Sequence, residues 1–246
     1  MKLVISLILT VLTFGLIAAP AAFAAKDAPA TAVDSGSFGI FLNGKRTATE
    51  KFSVAQSSDG SVVSTDFKTE EATNAAHQST ELRLSASGDL RHYEFKELSP
   101  GSQQAVLEPN NEFLVQHSTT APGEKPEEHP YILPASTNVL DDFVLIHREI
   151  LTWRYLATGC RQNNGQVQCP LKQKSSMGVV IPKARTSMLV TIEFLGRDTV
   201  QIHGQPRELN RFEMKCEGPD WELWLDDNYK VVRMLIPDEA TEIVRD

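Results

Sequence analysis

The chain has 246 residues, with 24 Lys and Arg against 32 Asp and Glu and a formal charge of −8. Lys2 is the one charge in the first 24 residues, so the remainder carries −9. That balance excludes a nucleic-acid binder built on clustered Lys and Arg, and excludes adhesion to anionic headgroups through a basic patch.

Met1-Lys2 is a short basic start, and Leu3 to Ala19 is an almost unbroken apolar run. Pro20 breaks it, and Ala22-Phe23-Ala24 places small residues two apart. This layout predicts a secretory signal peptide over 1–24, cleaved after Ala24. No later segment is apolar enough to span a bilayer. The expectation is therefore an exported protein, periplasmic or secreted, with no transmembrane segment after cleavage. Residues 25–35 are rich in Ala and read as a disordered lead-in.

Hairpin signals follow. Phe38, Ile40 and Leu42 alternate before Asn43-Gly44, the strongest two-residue hairpin turn. Asp59-Gly60 and Ser87-Gly88-Asp89 mark further turns, with alternating segments such as His77 to Ala86 between them. Short strands at roughly ten-residue spacing predict an antiparallel meander with one wet face. Residues 36–246 are read as a single β-rich domain. Its lobes, 36–118 and 131–246, are joined by the polar Pro-rich loop 119–130.

Beyond that loop comes the one convincing helix, predicted from about Val139 to Thr158, with Asn138 as cap and Gly159 as stop. At 100° per residue Leu140, Phe143, Ile146, Ile150 and Trp153 share an apolar face, while Asp141, Asp142, Arg148, Glu149 and Thr152 share the opposite one. His147 and Arg154 lie on the apolar side. They fit either a polar anchor in a cavity, facing a lipid headgroup or carboxylate, or a core histidine and an arginine paired with a sheet carboxylate.

Export permits disulfides. In the segment Cys160 to Cys169, a turn at Asn164-Gly165 sets Arg161 opposite Gln168 and Cys160 opposite Cys169, on a non-hydrogen-bonded pair. Such pairs sit within disulfide reach. Cys216 is left over, either a small buried apolar residue on a strand or a reactive thiol. Later strands are read at 187–195 and 199–203 around a Gly196-Arg197-Asp198 turn, then at 208–216, 221–225, 229–236 and 242–245. Trp221 and Trp224 have opposite parity, so one of them should face the core.

No metal-ligand spacing, nucleophile elbow, Walker loop or dinucleotide fingerprint occurs, and His77, His92, His117, His129 and His203 stand apart. No catalytic residue, cofactor or metal is assigned, and an enzyme is not indicated, although catalytic groups from distant strands leave no local motif.

The opening hairpin Phe38-Gly-Ile-Phe-Leu-Asn-Gly-Lys-Arg46, the meanders, the amphipathic helix and the closing Trp224-Leu-Asp-Asp-Asn-Tyr-Lys-Val-Val-Arg-Met-Leu-Ile-Pro237 resemble exported lipoprotein carriers of the LolA/LolB and LppX kind, and related uncharacterised periplasmic families. The resemblance implies a curved antiparallel sheet, an incomplete β-barrel, with a helix on its concave face and a cavity for acyl chains. The fold class expected is mainly β, with about ten or more strands. The function expected is a carrier for an apolar or lipid-like ligand; the alternatives are a non-catalytic envelope scaffold that binds another protein, or a hydrolase with an unrecognised site. Cavity candidates are Phe143, Ile146, His147, Ile150, Trp153, Arg154 and Trp221.

Overall fold

The computed structural model describes residues 30–71, 73, 75–163 and 166–246. The predicted signal peptide, the first part of the lead-in and the Asn164-Gly165 turn lie outside them.

Alternating residues make the first meander: β1 (Thr31–Leu42), β2 (Lys45–Ser57), β3 (Gly60–Thr69), β4 (His77–Ser85), β5 (Leu90–Ser99), β6 (Gln104–Asn110), β7 (Phe113–Thr119) and β8 (Glu127–Tyr131). A two-residue strand, β9 (Asn138–Val139), precedes helix α1 (Ile146–Gly159). A small hairpin, β10 (Arg161–Asn163) and β11 (Gln166–Gln168), leads to β12 (Lys174–Ile181), β13 (Thr186–Ile202), β14 (Gln205–Lys215), β15 (Trp221–Leu225), β16 (Val231–Ile236) and β17 (Thr241–Arg245).

Fifteen of these strands form one sheet, in the order β8 to β1, then β17 back to β12, then β9. The two meanders join where β1 pairs with β17, Phe38 opposite Arg245 and Leu42 opposite Thr241. All neighbours are antiparallel except β9 and β12. The sheet curls but does not close by backbone pairing. Its two ends approach instead through side chains and connecting chain. Leu90 N–H donates to Ala135 O at 2.7 Å, Gln116 Nε2 to Pro182 O at 3.0 Å, and Arg185 meets Glu127 at 2.7 Å. The expected incomplete barrel with a helix inside its curl is what the chain adopts.

The period-2 pattern decides which side chains point inward. Phe52 and Val54 of β2, Leu82 of β4, Tyr93 and Phe95 of β5 and Leu107 of β6 are all buried in the main core with Leu151 and Tyr155 of α1. The Asn43-Gly44 turn takes φ of 50° and 77°, the left-handed pair that a two-residue hairpin needs.

Four expectations need correction. Residues 31–35 are not a disordered lead-in; they begin β1, which pairs with β2 from Thr31 opposite Gln56 onward. The 119–130 segment is not all loop, because Glu127–Tyr131 is the edge strand β8. There is no turn at Gly196-Arg197-Asp198. β13 runs through it with a bulge between Phe194 and Gly196, Gly196 takes φ +106°, and the hairpin turns at His203-Gly204. The helix begins at Ile146, seven residues late. Asn138 and Val139 pair instead with Val179 and Val180, and Leu140 N–H donates to Val180 O, so the backbone there is spent on the sheet. At the other end Gly159 is the last helical residue, one beyond the expected Thr158, and extended Cys160 is the cap.

Candidate functional site

A cavity of about 640 Å³ lies between the curled sheet and the segment 140–148. Its inner wall is apolar, with buried Leu140, Leu145, Ile181, Met214, Trp221 and Ile243. Exposed Glu71, Asp142, Glu217 and Glu239 stand on its rim. Residues 140–145, which a longer helix would have included, connect β9 to α1 and supply Leu140, Asp142, Phe143 and Leu145 to the lining.

Arg148 is the charged side chain of the inner wall. It is 3% exposed, and its guanidinium lies 3.7 Å from the centre of the Trp221 ring. Nη1 donates to Val144 O at 3.3 Å, and Nε has no partner. Burial lowers its pKa to about 10, against the pull of Asp142, Cys216, Glu50 and Asp141. The helical wheel places Arg148 on the polar face, opposite the apolar one. Glu149 and Thr152, assigned there too, are fully buried. The wheel argument assumes one wet side, and a helix inside a curled sheet has almost none.

The expected cavity residues divide. Phe143 and Trp221 line the cavity, although Phe143 is 48% exposed at its mouth. Ile146 and His147 are buried in the core beside it, and Ile150 and Trp153 pack on that core half-buried. Trp153 Nε1 donates to Tyr229 O at 2.6 Å. Arg154 is not inside. It reaches Gly88 O at 2.6 Å and Ser136 O at 3.4 Å, near Asp89. Cys216 is half-buried just past β14 and lines the cavity, with Sγ 3.4 Å from Pro219 O. It is neither fully buried nor on a strand.

Trp224 faces the other side of the sheet, as the parity of the pair required. There it is buried in a small cluster with Ile202, Leu209 and Val232, beneath Arg233. The bond Cys160–Cys169 is formed, with Arg161 opposite Gln168.

Around the helix start stands a buried polar group. Tyr93 Oη donates to Asp141 Oδ2 at 2.6 Å, and Asp141 N–H donates to His147 Nδ1 at 3.2 Å. Burial drives His147 down to about 3, with help from Arg148, so the ring is neutral. Among the described residues Asp141 N–H is the hydrogen-bond partner of His147, and its Nε2 has none.

In the first turn of the helix, Glu149 Oε2 accepts Val231 N–H at 2.6 Å and Arg245 Nη2 at 2.8 Å. Arg245 also meets Asp34 Oδ2 at 2.8 Å, and Lys230 meets Asp34 Oδ1 at 2.9 Å. Burial and the neighbouring Asp34 raise Glu149 to about 9. Burial works against Asp34 as well, but its bonds to Arg245, Glu149 and Lys230 hold it at about 2. One carboxyl of the pair is neutral and the other ionised, which suits two buried acids sharing one half-buried arginine. This cluster ties α1 to β1, β16 and β17 and lies away from the cavity wall.

Arg148, Glu149, Glu50 and Asp34 were not singled out from the sequence. One signal was available: Glu50 stands at the inward parity of β2, between Ala48 and Phe52.

No family model matches the chain, and no curated protein does. Among solved structures, the chain is similar to the crystal structure of a beta-barrel-like protein of domain of unknown function DUF1849 from Brucella abortus. The TM-score is 0.52 at 11% sequence identity, over 86% of this chain and 93% of that one. The likeness is one of fold: a barrel-like sheet spanning nearly the whole of both proteins.

Proposed function

We propose that the protein is an exported binding or carrier protein for an apolar or amphipathic, lipid-like ligand. The observation that carries this reading is the cavity of about 640 Å³ with an apolar inner wall. That volume falls within the roughly 300–1,000 Å³ usual for small-molecule sites. A space of this size beside the helix start favours a ligand over a scaffold whose sheet and helix would pack without a void. The disulfide supports an oxidising compartment outside the cytosol.

Trp221 in the wall provides the test. Delipidated protein titrated with a long-chain fatty acid or a lysophospholipid should show a saturable change in tryptophan emission. The change should vanish in Trp221→Phe, while Trp153 and Trp224 remain as internal controls. Silence toward every such amphiphile in the wild-type chain counts against the reading.

A further inference from the structure

Arg148 poses a problem that the fold does not solve. A guanidinium has five N–H donors. Here one nitrogen reaches Val144 O, the Nε–H has no partner, and no ion pair to Arg148 forms among the described residues. Of the acids around it, Glu50 is fully engaged, Asp141 is engaged through one oxygen with Oδ1 left without a partner, and Asp142, which pulls on it most, forms no ion pair with it among the described residues. Both oxygens of Glu50 accept backbone N–H groups, from Leu145 at 2.7 Å and Ile146 at 2.9 Å. Asp141 Oδ2 holds Tyr93. Asp142 is exposed on the rim. A buried unpaired cation is costly, and the guanidinium fork matches a carboxylate in bidentate fashion. Trp221 covers one face of the guanidinium, which leaves its N–H-bearing edge for an anion.

We propose that Arg148 is the headgroup anchor of the cavity, and that its ligand is a single-chain amphiphile with a terminal carboxylate, seated head inward. This rests on the carrier reading above and names its substrate class. The apolar wall around Arg148 takes the chain. The rim decides the orientation, because a carboxylate left there would face Glu71, Asp142, Glu217 and Glu239. Drawn inward, it meets the one cation of the wall in a medium where their attraction is little screened.

Oleate and oleyl alcohol share a chain and differ at the head, so they are the probes. The full chain should bind oleate about ten- to hundredfold more tightly than oleyl alcohol, the scale of a charge-assisted pair in a buried site. Arg148→Met should abolish that preference, so that oleate binds no more tightly than the alcohol. Equal affinities in the wild type, or a preference that survives Arg148→Met, overturns the anchor while the carrier reading stands. Binding of neither probe removes the carrier reading itself. Should Arg148→Met fail to fold, the wild-type chain still answers through Cys216, the free thiol in the same wall. Oleate should protect Cys216 from an aromatic disulfide reagent at concentrations where oleyl alcohol does not. Equal protection by both refutes the anchor.

Discussion

Glu50 of β2 caps a helix that begins 96 residues further along the chain: its two carboxylate oxygens accept the N–H groups of Leu145 and Ile146 at 2.7 and 2.9 Å. A helix start leaves backbone N–H groups without partners, and a neighbouring Ser, Asp or Asn usually supplies one. Here Leu145 makes no side-chain cap, and a fully buried acid from the facing sheet does that work. The same contact holds the 140–148 segment, and so the cavity wall, at a set distance from the sheet.

Glu50→Ala should therefore destabilise the protein by about 1–3 kcal/mol, the cost of leaving buried donors unsatisfied. Glu50→Gln should lose less, since one amide oxygen still accepts. Urea unfolding followed by circular dichroism measures both. If Glu50→Ala matches the wild type, the cap carries no energy.

The buried acids and His147 set opposite pH limbs. Burial raises Glu149 from 4.5 to about 9. The folded state keeps a proton there that the unfolded chain gives up, so this contribution is full below about 4.5 and is lost as pH rises through about 9. Glu50, raised by burial to about 7, adds to the same loss between 4.5 and about 7. His147 works the other way. Its value falls from 6.5 to about 3, so its contribution is full above 6.5 and is lost as pH falls through about 3. Urea midpoints measured across these windows should decline toward both ends. Glu149→Gln, which can still accept Val231 N–H, should flatten the alkaline limb and leave the acid limb in place. An unchanged alkaline limb in that variant would contradict a neutral Glu149.

Reduction of Cys160–Cys169 should lower stability by roughly 2–3 kcal/mol, the loop-closure value for a short ring. The bridge spans nine positions and ties the hairpin to the residue that follows α1. Thermal melts with and without a reductant test this, and Cys160→Ser with Cys169→Ser should reproduce the reduced value. Identical melting temperatures in all three would show that the hairpin adds nothing to the fold.

Several features of this protein were written locally in the chain. Period-2 alternation marks β2, β4 and β5, and Asn43-Gly44 takes the turn that its residue types demand. The cysteine hairpin needed only its turn and a count outward from it. Each of these depends on residues within about ten positions of one another, where backbone geometry and side-chain parity leave few choices.

The site was decided at longer range. Arg154 was expected inside, yet it lies near the surface on Gly88 O and Ser136 O, while Arg148 takes the interior place. A helical wheel ranks faces by polarity, but which face meets the sheet is set by contacts such as Glu149 with Arg245, 96 residues away. The late helix start has the same origin, since parallel pairing of 138–139 with β12 outcompeted local helix signals. Composition and periodicity determined that the chain forms an antiparallel meander with one wet face, and the curl was only what the resemblance implied. Only the tertiary structure decided which charges the curl encloses, because burying a charge depends on partners that chain proximity does not reveal.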